Sequence, residues 1–149
     1  MRLAACAALV LAVCALALAG CGHDHPSASW AGPPAPSTGR VDVQGFADYA
    51  ASVDETWEQA PALAAGEFRR LDRKVATLTS IDARSGPEGT GPVAVTVTLD
   101  GLLDDSVRTE RWQLAFVPED DSYRLSEGRW AQRCRAGRGH DVFSAEPCV

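Results

Sequence analysis

Val93-Ala94-Val95-Thr96-Val97-Thr98-Leu99-Asp100 alternates large aliphatic residues with small or polar ones at every step. Period two is the pattern of a β-strand with one buried face, because successive side chains point to opposite sides of the sheet. Val93, Val95, Val97 and Leu99 are therefore the candidate core face. Downstream, Asp104-Asp105-Ser106 marks a turn, and Thr109 to Val117 resumes the alternation with Trp112, Leu114 and Phe116 on one parity against Arg111, Gln113 and Ala115. Pro118 to Ser122 then closes a hairpin onto a last strand, Tyr123 to Cys134. In that strand Tyr123 and Leu125 share one parity and Trp130 has the other, with Gly128 between them. A glycine-assisted bulge would bring Leu125 and Trp130 to one face; without it Trp130 lies on the far side.

Upstream, the turn cluster Ser85 to Pro92 separates this unit from Lys74 to Ala83, where Val75, Thr77, Thr79 and Ile81 share one parity and Leu78 has the other. This reads as a fourth strand. Before it, Phe46, Tyr49, Ala50, Val53, Trp57 and Ala60 recur at three- and four-residue steps, with Asp48, Ser52, Asp54, Glu55, Glu58 and Gln59 between them. The spacing predicts one amphipathic helix, with Asp42 as N-cap and Pro61 ending or kinking it. Pro61 to Gly66 could begin a second short helical turn that stops at Gly66. The expected fold is α+β: an N-terminal amphipathic helix laying Phe46, Tyr49, Val53 and Trp57 on a four-stranded antiparallel sheet.

The first 20 residues have a different character. Met1 and Arg2 precede 17 uncharged, almost wholly apolar residues, Leu3 to Ala19. That length is the lower edge for a membrane-spanning helix. Small residues then lead into a cysteine, and Leu18-Ala19-Gly20-Cys21 resembles the lipobox of bacterial lipoproteins. The resemblance implies that residues 1–20 are a signal peptide, removed on export. Cys21 then becomes the acylated, palmitate-type N-terminus on the extracytoplasmic face of the cell membrane. Residues 21–40 are rich in proline, serine and glycine, a composition that reads as a tether, and 41–149 form a single domain.

Five cysteines sort by fate. Cys6 and Cys14 belong to the leader and Cys21 to the lipid, which leaves Cys134 and Cys148 as a pair. In an oxidising compartment such a pair is most simply a disulfide. Two cysteines without matching histidine spacing make a poor zinc site, and His23-Asp24-His25 lacks a fixed geometry, so neither metal nor cofactor is expected.

The net charge of −6 becomes −7 once Arg2 is lost, and such a chain repels phosphate backbones, so nucleic acid is not an expected partner. Acids crowd early, at Asp42, Asp48, Asp54, Glu55 and Glu58. Arginines crowd late: Arg129, Arg133, Arg135 and Arg138 are a candidate anion-binding set, although two solvated faces, or acids and arginines meeting across the fold, would give the same pattern. His140, Asp141 and Ser144 are acyl-transfer residue types, but neighbours in sequence rarely converge and no nucleophile elbow precedes Ser144. Gly86 to Gly91 lacks the lysine of a phosphate loop, and Gly137-Arg138-Gly139 lacks the third glycine of a dinucleotide fingerprint.

The lipobox and tether, together with Trp130, Cys134, Arg138-Gly139-His140, Phe143-Ser144 and Cys148, resemble small secreted actinobacterial lipoproteins. Separately, a helix followed by four antiparallel strands is similar in element order to cystatin-like and NTF2-like folds, which host enzymes, binding modules and scaffolds alike. The expected function is a membrane-anchored, non-catalytic extracytoplasmic module for an unidentified ligand or protein. The competing readings are an NTF2-like enzyme with its site between helix and sheet, and a structural envelope protein. An enclosed pocket would favour the enzyme, and a solid core with an exposed patch would favour binding.

Overall fold

The computed structural model describes residues 29–149 apart from 35, 37, 88 and 90; the expected signal peptide and Cys21 lie outside the described residues. Four strands, β1 (Ala76–Ser85), β2 (Val93–Leu102), β3 (Val107–Glu119) and β4 (Ser122–Cys134), form one antiparallel sheet in chain order. Their register puts like with like. Ile81, Val97, Trp112 and Trp130 form one row across the inner face, and Val93, Phe116 and Leu125 another.

Two details of the β3–β4 hairpin differ from expectation. Pro118 and Glu119 stay in β3, and the turn is only Asp120-Asp121, with Asp120 left-handed at φ 51°. Leu125 and Trp130 do share the inner face, but the extra residue that achieves this is Ser126: Ala115 pairs with Glu127 and Phe116 with Leu125. Gly128 serves another end. A Cβ there would stand 2.8 Å from Val41 Cβ, so the missing side chain is what admits Val41.

The single helix expected from Phe46 to Ala60 is instead two short helices, α1 (Gln44–Ala50) and α2 (Pro61–Arg69), joined by a 3₁₀ turn at Thr56–Gln59. The three-and-four spacing holds as a helix only to Ala50. Ser52 Oγ donates to the Tyr49 carbonyl at 2.6 Å, satisfying a C-terminal acceptor. A reciprocal capping box between Glu55 and Glu58 then starts the 3₁₀ turn. Pro61 opens α2 as its first residue, where its missing N–H leaves nothing unsatisfied. Nor does Gly66 stop α2, which ends at left-handed Arg70. Asp42 lies one residue before the N-cap position held by Val43, yet its carboxylate still accepts the Gln44 N–H at 3.0 Å. Among the described residues no helix is long and apolar enough to cross a membrane.

Aromatic rings fill the space between helices and sheet. Phe46 meets Phe68 edge-on at 5.2 Å, Trp57 stacks on Tyr49 at 6.0 Å, and Phe68 meets Trp112 at 6.0 Å. Trp30, from the stretch expected to be tether, joins them: it stacks 5.9 Å from Phe68, and its Nε1–H donates to the Phe68 carbonyl at 2.7 Å. Ala64 and Ala65 bring α2 close to the sheet, and Val93, Val95, Val97, Leu114 and Phe116 complete the core.

Candidate functional site

Strand pairing builds an open groove of about 490 Å³ where β3 begins and β4 ends, lined by Arg108, Arg133, Arg135, Gly137, Gly139 and Asp141 among others. The ladder skips a residue between the pairs Val107–Cys134 and Thr109–Arg133, which leaves Arg108 as the bulged residue. A bulge re-aims the side chain it carries. Arg135 is fixed by donating from Nε to the Asp104 carbonyl at 2.7 Å and from Nη2 to the Leu102 carbonyl at 2.5 Å. Arg133 Nη2 donates to Thr109 Oγ1 at 3.2 Å, and the Thr109 hydroxyl in turn donates to Asp100.

Asp100 is the counter-charge to this groove. It lies 3.7 Å from Arg108 and 3.6 Å from Arg133, distances too long for tight hydrogen-bonded pairs. The Thr109 hydroxyl chiefly, then the two guanidiniums, hold its carboxyl below the usual carboxylate range. Three arginines thus line the groove with one carboxylate, Asp141, while Asp100 reaches Arg108 and Arg133, and Asp104 reaches Arg135, from outside its lining.

Of the four arginines picked out as an anion-binding set, the structure brings Arg133 and Arg135 into this groove. Arg129 pairs with Glu127 at 3.2 Å and lines a different surface groove beside Arg40 and Trp130. Arg138 holds the tail through its backbone, donating to Arg135 O and accepting from the Val149 N–H. Arg108 escaped the sequence reading because only strand pairing brings it to the end of β4.

The Cys134–Cys148 disulfide forms, with the Cα atoms 5.5 Å apart. The closed tail returns along β4, where Ser144 and Gln132 exchange both backbone hydrogen bonds and the Cys134 N–H donates to the His140 carbonyl. Phe143 lies on the outer face of the sheet, with the Arg111 guanidinium 3.6 Å above its ring. His140 and the two cysteines bring three ligand-type atoms within 4.8 Å of one another. Both sulfurs are spent in the disulfide, however, and both ring nitrogens of His140 face carbonyls, Val142 O at 2.8 Å and Glu146 O at 2.9 Å. Asp141 and Ser144 make no hydrogen bond to that ring.

On the inner face, α2 places Arg69 in the core at 2 % exposure. Its Nη2 donates to Glu110 Oε2 at 2.8 Å, its guanidinium lies 3.9 Å from the centre of the Trp112 ring, and Trp112 Nε1 donates to the same oxygen at 3.2 Å. Burial lowers the Arg69 pKa, against the pull of Glu110. Glu110 therefore serves as counter-ion and acceptor to its two neighbours. A signal for this pair stood in the sequence, since Glu110 shares the core parity of Trp112, Leu114 and Phe116. Arg69 itself gave none.

Comparison of the chain with protein-family models, with curated proteins and with solved structures finds no match in any of the three.

Proposed function

We propose that this chain is an envelope-anchored interaction module, held to the extracytoplasmic face by lipid on Cys21, whose groove at Arg108, Arg133 and Arg135 receives an anionic group of its ligand. The observation that carries the reading is that three guanidiniums and a single carboxylate, that of Asp141, line the groove in a chain of net charge −6. Guanidiniums recognise carboxylate and phosphate groups through planar, paired N–H donors. Arg108 reaches Asp100 only at 3.7 Å, so its donors remain open to a better acceptor. A further support is the interior: Phe46, Phe68, Trp112 and their neighbours fill most of the space between helices and sheet, and what remains is a cleft of about 160 Å³ between α1 and the start of β4.

Calorimetric titration with pyrophosphate, at low and at moderate salt, tests the groove. Saturable binding that weakens at least tenfold in Arg108→Ala, and is unchanged in Arg124→Ala at the far end of β4, is the expected result. Binding that ignores Arg108, or that never saturates in the unsubstituted protein, removes the groove as the site. The anchor is tested separately: Cys21→Ala should abolish acyl labelling and membrane partition, and unchanged labelling would overturn it.

A further inference from the structure

The two edges of the sheet are treated differently by the chain. Along β4, Gly39 O accepts from the Trp130 N–H, the Val41 N–H donates to Gly128 O, Ser144 pairs with Gln132, and His140 O accepts from the Cys134 N–H. Along β1, no described residue pairs with the outer edge. Over this ten-residue strand the alternate backbone donors and acceptors that point away from β2 are left open. Natural proteins blunt such an edge with charges, proline or a bulge, because it templates pairing with another chain. On β1 the charges are Asp82 and Arg84, near one end and paired with each other at 2.8 Å. The rest carries exposed aliphatics: Leu78 is 60 % exposed, Ile81 40 %, and Val75, just before the strand, 65 %.

We infer that β1 is a dimerisation edge, on which two copies of this chain pair antiparallel about a two-fold axis at Leu78. The argument is self-complementarity. With Leu78 opposite the partner's Leu78, Val75 falls opposite the partner's Ile81 and Thr77 opposite the partner's Thr79. Lys74 falls opposite the partner's Asp82. Every exposed aliphatic of the edge meets an aliphatic, the threonines meet each other, and a base meets an acid, the pairings that stabilise neighbouring strands.

The faces agree as well. Ile81 pairs with inner-face Val97 and Leu78 with outer-face Asp100, so Ile81 lies on the inner side and Leu78 on the outer, and Val75 shares the parity of Ile81. Adjacent registers are worse. A slip of one residue sets inner positions against outer ones and is excluded by the pleat. A slip of two separates the leucines and brings either Asp82 toward the partner's Asp72 or Lys74 toward the partner's Arg84. No such match is required of an edge that receives an arbitrary extended peptide. The product is one continuous eight-stranded sheet whose outer strands are the two β4 strands, each covered over its second half by residues 39–41 and 140–144 of its own chain.

Two experiments on the full chain in detergent test this. Under mild oxidation Leu78→Cys should yield a covalent dimer whose mass-mapped link joins position 78 to itself. Ile81→Cys alone should not, because its counterpart lies about 20 Å along the paired strand, whereas Val75→Cys combined with Ile81→Cys should. Equal cross-linking of both single variants, or none by Leu78→Cys, overturns the register. In sedimentation, the unsubstituted chain should run as a dimer and Leu78→Lys as a monomer with unchanged far-UV circular dichroism. A monomer before substitution leaves β1 to some other strand and sinks the proposal, and so does a dimer that survives Leu78→Lys.

Discussion

β1 and β4 are the outer strands of the same sheet, and the chain invests in them unequally. β4 receives residues from both ends of the described chain, the only disulfide among the described residues, and a glycine whose absent side chain makes room for Val41. β1 receives α2 over part of its inner side and, among the described residues, no backbone pairing along its outer edge. Burial follows the same gradient. Across the row Ile81–Val97–Trp112–Trp130, exposure is 40 % at Ile81 and no more than 7 % at the other three. An open edge in a sheet guarded so heavily elsewhere points to use by a partner rather than to neglect.

The largest expected effect probes that row directly. Trp112→Ala should cost about 3–5 kcal/mol in urea unfolding, as core aromatic truncations do, because Phe68, Trp130 and the Arg69 guanidinium all lose their partner. Ile81→Ala, in the same row, should stay within about 0.5 kcal/mol at low protein concentration. Comparable losses at both positions would erase the distinction between covered and open halves of the sheet.

Next comes the staple on β4. The bridge between Cys134 and Cys148 closes a short loop, and in chain-entropy estimates a 15-residue loop gives about 3 kcal/mol. Replacing both cysteines by serine should lower stability by that order. It should also speed amide exchange at Gln132 and Cys134 while leaving Thr79 on β1 unchanged. Equal acceleration at Thr79 would mean that the two edges are not independent.

Gly128→Ala asks whether the N-terminal segment guards β4. The added carbon would meet Val41 Cβ at 2.8 Å and Leu114 Cδ2 at 3.3 Å. Leu114 is locked in the core, so Val41 must move, breaking its hydrogen bond to Gly128 O. Overpacking of this kind costs about 1–3 kcal/mol. Trp30 fluorescence should shift with it, and an unperturbed Trp30 would separate the two contacts of this segment.

How much of this was legible depended on whether one buried face imposed a period. It did along Val93 to Leu99 and Trp112 to Phe116, and these strands, their antiparallel sheet and their inner residues followed. Counting cysteines sufficed for the Cys134–Cys148 pair. The stripe from Phe46 to Trp57 misled because Phe46, Tyr49 and Trp57 reach the core without a continuous helix between them, and Val53, expected on the sheet, stays outside the core. The break was encoded more locally, in Ser52 and in the Glu55–Glu58 box. The groove was half legible: Arg133 and Arg135 are near in sequence, whereas Arg108 arrives through strand pairing and a bulge that composition does not announce. Arg69 was invisible for the same reason, its partner Glu110 lying on another element.

The smallest expected effect is a pH dependence confined to the guarded edge. Both ring nitrogens of His140 face carbonyl oxygens, of Glu146 and of Val142, which only accept hydrogen bonds. Satisfying both requires two N–H groups, and so the imidazolium. The bond to the Glu146 carbonyl first, then that to Val142, with the charges of Glu146 and Asp141 adding, raises the pKa above the ordinary histidine value. For a raised folded-state pKa, the stabilisation is fully present below the unfolded value, about 6.5. It is lost as pH rises through the folded value. Stability and Gln132 protection should therefore decline modestly across that window, and the decline should vanish in His140→Gln. Because His140 reaches Cys134 and Glu146 but no residue of β1, Thr79 protection should not follow. A parallel loss at Thr79, or a pH profile that survives His140→Gln, would place the titrating group elsewhere.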